Sequence, residues 1–179
     1  MSELILKAIK YATSKHRGQK RKVSGAEYIT HPILVSYLAA QYKRSKALET
    51  LVCAAILHDT VEDTGATYLE ILRRFGMPIT SLVFELTSDP AALGRLGKLE
   101  YLKAKMKGYS SYALFLKLCD RLGNLMDNPS PKQLDETVLL LKYLRAIRKL
   151  TKSHLAVIAE IEKYWPRGPN ERAERLHDR

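Results

Sequence analysis

The sequence contains no continuous run of about 18 apolar residues, the minimum for a membrane-spanning helix, so we expect no membrane span. Residues 1–4 carry no basic stretch followed by an apolar one, and we expect no signal peptide. Cysteine is also scarce, because the chain has only Cys53 and Cys119, both in apolar stretches. Since disulfides belong to oxidising compartments, this pattern predicts reduced core thiols and a cytoplasmic protein.

Glycine and proline are few, at 9 and 7 of 179 residues, and no segment alternates convincingly between apolar and polar residues as a half-buried strand does. Apolar residues recur instead at helical spacing, as at Ile5, Ala8 and Ile9. The apolar share of 46% suits a folded chain of this length. We therefore predict an all-α fold with one compact multi-helix domain over residues 1–165 and a polar C-terminal tail over residues 166–179.

Residues that begin and end helices divide the chain further. Thr67 and Glu70 have the spacing of a capping box, and Gly76 predicts the end of that short helix. We expect a longer helix over residues 46–61, because apolar residues fill most of that stretch. Residues 88–97 contain two glycines and are predicted to form a linker.

Acidic residues are outnumbered, since 30 Lys and Arg against 19 Asp and Glu give a net charge of +11. This balance favours an anionic partner such as nucleic acid, a nucleotide or a phosphorylated small molecule, although an ordinary basic surface would give the same count. Much of the excess is spread over helix faces, and no recognisable nucleic-acid motif occurs. We expect no nucleic-acid partner and no membrane partner, and the basic balance leaves a nucleotide and another phosphorylated small molecule both open. The sequence leaves the oligomeric state open.

Residues 58–63, with the sequence HDTVED, are the most informative segment, because they continue an apolar stretch, LVCAAIL, that we expect to be buried. Ionised carboxylates near a core cost free energy unless a cation compensates them, and a bound metal ion is the simplest compensation. Residues four apart share a helix face. This spacing would align His58 with Glu62 and Asp59 with Asp63.

Other candidate ligands lie elsewhere in the chain. His31 stands at the start of a predicted helix, and Asp120 stands among apolar residues, four positions before Asn124. Two imidazoles and two carboxylates would suit manganese, iron or zinc better than magnesium or calcium. Such a site would keep positions open for water and substrate. Glu62 or Asp63 could then orient or deprotonate the attacking water.

Each of these residues also has an ordinary structural interpretation. His31 could be a satisfied residue at a helix start, and Asp120 could pair with Lys117 or Arg121. His58 could interact with the dipole at a helix C-terminus. Only the combination of these residues indicates metal chemistry.

Three segments of the chain carry a family resemblance. They are HRGQKRKVSG continuing through YITHP at residues 16–32, AAILHDTVEDT at residues 54–64, and ALFLKLCDRLGNL at residues 113–125. In this order they resemble the HD metal-dependent phosphohydrolase superfamily. The resemblance is closer to the hydrolase domain of RelA/SpoT homologues, particularly the stand-alone small alarmone hydrolases. The HD pair alone is unspecific, whereas the first two segments together are quite specific.

The resemblance implies an HD-type hydrolase domain that uses manganese to remove the 3′-pyrophosphate from guanosine tetra- or pentaphosphate (ppGpp or pppGpp), releasing GDP or GTP. By position, the resemblance implies that the metal ligands are His31, His58, Asp59 and Asp120. It implies that Glu62 and Asp63 activate the attacking water. It implies substrate contacts by Arg21, Lys22 and Asn124.

Four residues depart from the family's usual pattern. Glu27 stands where the family usually has proline, and Gly123 stands where it has a bulkier residue that is often histidine. Met126 replaces a common arginine, and Asp127 replaces a threonine that is common in bacterial relatives. We expect the last three to alter the nucleoside pocket. An HD phosphohydrolase acting on another phosphorylated nucleotide such as NADPH is therefore the alternative enzyme. A catalytically silent nucleotide-binding module is the alternative outside the enzymes.

Overall fold

The computed structural model describes residues 2–165, and over that range the chain forms α-helices joined by short turns. The helices, in chain order, are α1 (Glu3–Lys15), α2 (Thr30–Tyr42), α3 (Leu48–Leu57), α4 (Thr60–Asp63), α5 (Tyr68–Phe75), α6 (Met77–Leu86), α7 (Pro90–Leu96), α8 (Lys98–Gly108), α9 (Ser111–Leu125), α10 (Pro131–Ile147) and α11 (Lys152–Glu162). The predicted all-α fold is confirmed. The predicted polar tail, residues 166–179, lies outside the described residues.

The only β-type pairing within residues 2–165 is one isolated bridge between Lys20 and Glu27. None of the helices in the described range combines the length and apolar character needed to cross a bilayer. Both cysteines, Cys53 and Cys119, are buried free thiols, as their apolar surroundings predicted.

Helix α3 lies at the centre of the core and packs against α1, α2, α6 and α9. Its residues 53–57 are all buried, because the helix is apolar on every side in that stretch. The chain that leaves α3 therefore brings its polar residues directly to the edge of the core. The first turn of α2 and the middle of α9 lie beside the same edge.

The prediction of one continuous helix over this region was wrong. Helix α3 ends at Leu57 and α4 begins at Thr60, so His58 and Asp59 lie in a turn between them. The His58 ring and the Thr60 hydroxyl each donate to a backbone carbonyl three residues earlier, those of Ala55 and Leu57, both at 2.7 Å. Such side-chain bonds compete with the regular helical pattern. The break places His58 and Asp59 at a bend, where their side chains can face the same point.

The prediction of a linker over residues 88–97 was also wrong, because α7 forms within it. The Asp89 side chain accepts hydrogen bonds from the amides of Ala91 and Ala92, at 2.9 and 3.2 Å, and Pro90 occupies the first helical turn. Both are strong helix-start features. Gly97, with φ of 73°, then ends the helix.

The predicted boundaries of α5 are confirmed. The Thr67 side chain accepts from the Glu70 amide at 3.2 Å, and the Glu70 carboxylate accepts from the Thr67 amide at 2.9 Å. Gly76 ends the helix with φ of 79°, a left-handed conformation that glycine adopts without strain.

The basic segment between α1 and α2 folds back on itself as a hairpin-like loop, which we call the basic hairpin (residues 16–29). Its two sides are joined where the Arg21 amide donates to Ala26 O at 2.8 Å and the Tyr28 amide donates to Gln19 O at 2.9 Å. Gly25, with φ of 70°, makes the reversal. The hairpin is therefore an ordered structure held by backbone bonds.

We predict that Thr67→Ala lowers the free energy of unfolding by about 1 kcal/mol, because it removes half of a capping box. Urea unfolding followed by circular dichroism measures the change. Thr13→Ala is the matched control, since Thr13 is exposed within α1 and should change stability by less than about 0.5 kcal/mol. Equal stability of the Thr67 variant and the unaltered protein would contradict the prediction.

Candidate metal centre and nucleotide pocket

Four side chains from three parts of the chain converge at the edge of the core. His31 Nε2 lies 3.1 Å from Asp120 Oδ1 and 3.8 Å from Asp59 Oδ2. His58 Nε2 lies 3.1 Å from Asp59 Oδ1 and 3.7 Å from Asp120 Oδ1. Ligand atoms of His31, His58 and Asp120 all lie within 4.8 Å of one another, which is close enough to surround one ion. Asp59 stands outside that mutual set but contacts both histidines.

The hydrogen bonding of His58 tests whether this cluster suits a metal ion. Its Nδ1–H donates to Ala55 O at 2.7 Å, which leaves the Nε2 lone pair unprotonated in the neutral ring. Nε2 is buried and has no hydrogen-bond partner, yet it faces the oxygens of Asp59 and Asp120. A cation between these atoms would remove their mutual repulsion. Metal-bound histidines commonly hold the other ring nitrogen in this way, so the residues fit a divalent cation.

The electrostatics of the cluster keep its carboxylates ionised. Burial opposes the charge on Asp59, but His58 outweighs it and lowers the pKa of Asp59 to about 2. Burial also opposes the charge on Asp120, and Lys117, His31 and His58 together hold its pKa well below the ordinary value. In turn, Asp59 and Asp120 overcome the burial of His58 and raise its pKa well above the ordinary value, so a proton and a metal ion compete for Nε2. The centre therefore attracts positive charge strongly.

Asp120 is held on both oxygens. Lys117 Nζ donates to Oδ2 at 2.6 Å, and Asn124 Nδ2 donates to Oδ1 at 2.7 Å. The pairing with Lys117 that the sequence suggested as an ordinary role for Asp120 is therefore present. It coexists with the contacts to both histidines, so the ordinary role and the ligand role are compatible.

Glu62 and Asp63 diverge. Asp63 Oδ2 accepts a hydrogen bond from the Tyr28 hydroxyl at 2.8 Å, and the same hydroxyl lies 2.8 Å from Asp59 Oδ2. Asp63 therefore lies next to the candidate ligands. Glu62 Oε2 instead accepts from the Ser88 amide at 2.7 Å, beyond the end of α6.

A cavity of about 470 Å³ lies beside Asp63, and all three predicted substrate residues, Arg21, Lys22 and Asn124, line it. This volume is in the range of small-molecule sites. The sequence interpretation missed several other lining residues, which are Gln19, Lys20, Val23, Tyr28 and Gln133. The cavity thus extends from basic side chains of the hairpin to Asp63, which lies next to the acidic centre.

Arg21 is fixed in the cavity wall by two residues of the α9 end. Its Nε donates to Asp127 Oδ2 at 2.9 Å, and its Nη2 donates to Asn124 Oδ1 at 3.0 Å. Burial opposes the charge on Asp127, but Ser24 and Arg21 lower its pKa. Since the amide group of Asn124 also donates to Asp120, Asn124 connects the cavity with the metal centre.

The four unusual residues occupy different places. Asp127 lines the cavity. Gly123 lies behind His31 instead, where a Cβ atom would stand 3.5 Å from the His31 ring. Met126 is 47% exposed, and Glu27 pairs with Lys20 on the outer side of the hairpin. Of the three residues that we expected to alter the pocket, Asp127 is the one that lines the cavity.

Tyr28 and Gln19 contact Asp63, and sequence reasoning gave them no role. Gln19 Nε2 donates to the backbone carbonyl of Asp63 at 2.7 Å. The available signal was their position in the first family segment, near the predicted ligand His31. Their contact with Asp63 depends on how the hairpin folds back, which spacing along one helix does not reveal.

The chain is similar in sequence to known proteins of one family. The HD domain family matches residues 8–106. The chain is 38% identical over 129 residues to guanosine-3′,5′-bis(diphosphate) 3′-pyrophosphohydrolase MESH1 of Xenopus tropicalis, covering 69% of each chain. It is 40% identical over 127 residues to the human MESH1 protein, covering 69% of this chain and 68% of the relative.

Longer relatives and a solved structure extend the comparison. The chain is 38% identical over 133 residues to an Aquifex aeolicus guanosine-3′,5′-bis(diphosphate) 3′-pyrophosphohydrolase, of which it spans only 18%. A metazoan orthologue of SpoT that hydrolyses ppGpp and plays a role in starvation responses superimposes with a TM-score of 0.75 at 28% identity, covering 91% of this chain and 96% of that one. The chain therefore belongs to the HD domain family, in the group related to the RelA/SpoT homologues.

Proposed function

We propose that this protein hydrolyses guanosine 3′-diphosphate 5′-di- or triphosphate to GDP or GTP and pyrophosphate. One observation carries the proposal: the convergence of His31, His58, Asp59 and Asp120 beside a cavity that holds Arg21 and Lys22. An acidic centre next to a basic cavity suits a substrate with many phosphate charges. The activity in the names of the MESH1 relatives, which match in length, supports the same substrate.

We assign His31, His58, Asp59 and Asp120 as the ligands of a divalent metal ion, and manganese as the ion. The mixed nitrogen and oxygen set favours a transition metal over magnesium or calcium. When bound, such an ion would lower the pKa of a water molecule and neutralise charge on the phosphoryl group. The domain limits, residues 1–165, and the cytoplasmic location stay predictions.

We assign proton transfer from the attacking water to Asp63, whose carboxylate lies beside the centre and lines the cavity. In this reaction the water oxygen bonds to the phosphorus attached to the ribose 3′ oxygen. The bond between that phosphorus and the 3′ oxygen breaks, and the 3′ oxygen takes up a proton. Glu62 supports the site less directly in our assignment, because its carboxylate is bonded to the Ser88 amide.

The cavity residues bind and orient the nucleotide. Lys22 is exposed at the cavity and supplies a mobile positive charge for phosphate. The Arg21 guanidinium is held by Asn124 and Asp127, so it offers its remaining donors and its flat face in a fixed orientation. Asn124 lies between the cavity and the centre and would position the nucleoside relative to the reacting phosphorus.

One observation keeps a second substrate class open. Asp127 brings a carboxylate into the cavity and partly neutralises Arg21. This changes the charge that a nucleotide meets, so another phosphorylated nucleotide such as NADPH is the alternative substrate. The position of Asp63 beside the ligands favours an enzyme over a catalytically silent nucleotide-binding module.

We predict that the purified protein releases pyrophosphate from guanosine tetraphosphate in the presence of manganese, and that a chelator abolishes the reaction. A pyrophosphate assay on a panel containing guanosine tetraphosphate, GTP and NADPH, with phosphate also measured, identifies the substrate. Turnover of NADPH without turnover of guanosine tetraphosphate would contradict the proposed substrate and support the alternative one. Nucleotide binding without any product would favour the silent module.

We predict that His58→Ala loses metal and activity together. Loss of an outer partner of a ligand costs about 10–100-fold in metal affinity, so loss of a ligand should cost at least as much. Elemental analysis after loading with manganese measures the metal content. The matched control is His154→Ala, because His154 is equally buried but bonds to Ser111 O at 2.9 Å, outside the centre. Normal metal content in the His58 variant would remove it from the ligand set.

We predict that Arg21→Ala raises the KM for guanosine tetraphosphate by roughly tenfold or more, because a hydrogen bond to a charged group contributes on the order of 1.5–3 kcal/mol. Steady-state kinetics separate this effect from a change in kcat. Arg17→Ala is the matched control, since Arg17 is exposed in the same basic segment but does not line the cavity. An unchanged KM in the Arg21 variant would exclude a substrate contact.

A further inference from the structure

We infer that Gln19 and Tyr28, supported by His16, are positioning residues that hold Asp63 in the orientation needed for proton transfer. The inference rests on the proposed function, because it assumes that Asp63 takes the proton from water. The basic hairpin then has two roles. It presents Arg21 and Lys22 to the nucleotide, and it holds the Asp63 carboxylate in place.

Asp63 needs such support because of its place in the chain. It is the last residue of α4, a helix of four residues, and the next residue, Thr64, already has an extended backbone with φ of −137° and ψ of −179°. Asp63 is also exposed. A side chain at the end of so short a helix has few neighbours in its own element. Contacts from another part of the chain must therefore restrict its orientation.

The backbone of Asp63 is held by a chain of two hydrogen bonds. Gln19 Nε2 donates to Asp63 O at 2.7 Å, so the amide oxygen of Gln19 is turned toward His16. His16 Nδ1 lies 2.7 Å from that oxygen and must carry the proton of this bond, because an amide oxygen only accepts. His16 is buried at 2% exposure and cannot easily turn away. These two hydrogen bonds thus anchor the Asp63 peptide to the buried His16 ring.

The carboxylate of Asp63 is held by Tyr28. Its hydroxyl lies 2.8 Å from both Asp63 Oδ2 and Asp59 Oδ2, and one hydroxyl proton serves only one acceptor at a time. The Tyr28 ring stacks on the His16 ring, with centroids 4.8 Å apart and planes at 27°. Both supports therefore depend on the same buried histidine, and they fix Asp63 at its peptide and at its side chain.

The two supports are also joined to each other. The Tyr28 amide donates to Gln19 O at 2.9 Å across the hairpin. Movement of the hairpin would therefore displace Arg21 and the two supports of Asp63 together. This arrangement aligns the nucleotide and the proton acceptor relative to one another.

The first test replaces each support without replacing the acid. We expect Gln19→Leu and Tyr28→Phe each to lower kcat about tenfold, because small misplacements of a reacting group have large effects on rate. We expect a smaller factor of change in KM, since both residues also line the cavity. Matched controls are Gln41→Leu and Tyr37→Phe on α2, which are exposed and do not line the cavity, and we expect unchanged kinetics for both. A change confined to KM in the support variants would overturn the inference.

A double-mutant cycle with Asp63→Asn distinguishes positioning from general damage to the fold. If Gln19 acts through Asp63, its replacement should cost almost nothing further in the Asp63→Asn background. Tyr28 also contacts Asp59, so its replacement should cost less in the Asp63→Asn background than in the unaltered protein, without vanishing. Full additivity of the losses would overturn the inference.

A measurement without substrate separates this inference from the proposed function. We expect hydrogen exchange of a peptide covering residues 60–66 to be faster in Gln19→Leu than in the unaltered protein, while Gln41→Leu shows no change. Faster exchange in a protein that hydrolyses none of the nucleotides would support the contacts and reject the proposed function. Identical exchange in all three proteins would overturn the inference, whatever the activity.

Discussion

Two ionised carboxylates at the edge of an apolar core are the constraint on which the rest of this site depends. Asp59 and Asp120 together carry two negative charges, and the ammonium group of Lys117, 2.6 Å from Asp120, supplies one positive charge. Removing a carboxylate from water costs several kcal/mol even after the protein relaxes. With neutral histidines the three groups carry a net charge of −1. A divalent cation would reverse that sign and make the centre attractive to phosphate.

This requirement explains the local structure around the centre. Helix α3 fills the core with apolar residues and must end where polar ligands begin. The bend at His58 and Asp59 turns both side chains toward His31 and Asp120, and the bond from His58 to Ala55 O fixes which ring nitrogen faces them. The cluster is therefore built by backbone direction as much as by the ligands themselves.

Sequence patterns predicted the features that depend on neighbouring residues. The all-α fold, the capping box of α5 and the glycine that ends it follow from local periodicity and capping. The break after Leu57 was missed because it depends on side-chain bonds to backbone carbonyls, which an apolar pattern does not show. Helix α7 was missed because its glycines outweighed the start signal at Asp89 and Pro90. The contact between Tyr28 and Asp63 joins positions far apart in sequence, and only the folded hairpin creates it.

Of the four residues that depart from the family pattern, Asp127 is the one that lines the cavity. The candidate ligands and Asp63 lie close together, whereas Asp127 changes the charge around Arg21 in the neighbouring cavity. Asn124 lies between the two regions and bonds to both Arg21 and Asp120. A change in the orientation of Arg21 can therefore shift Asp120 through the side-chain amide of Asn124. In the proposed reaction, buried charge would thus determine the type of chemistry, and a partly neutralised arginine in an open cavity would determine the identity of the nucleotide.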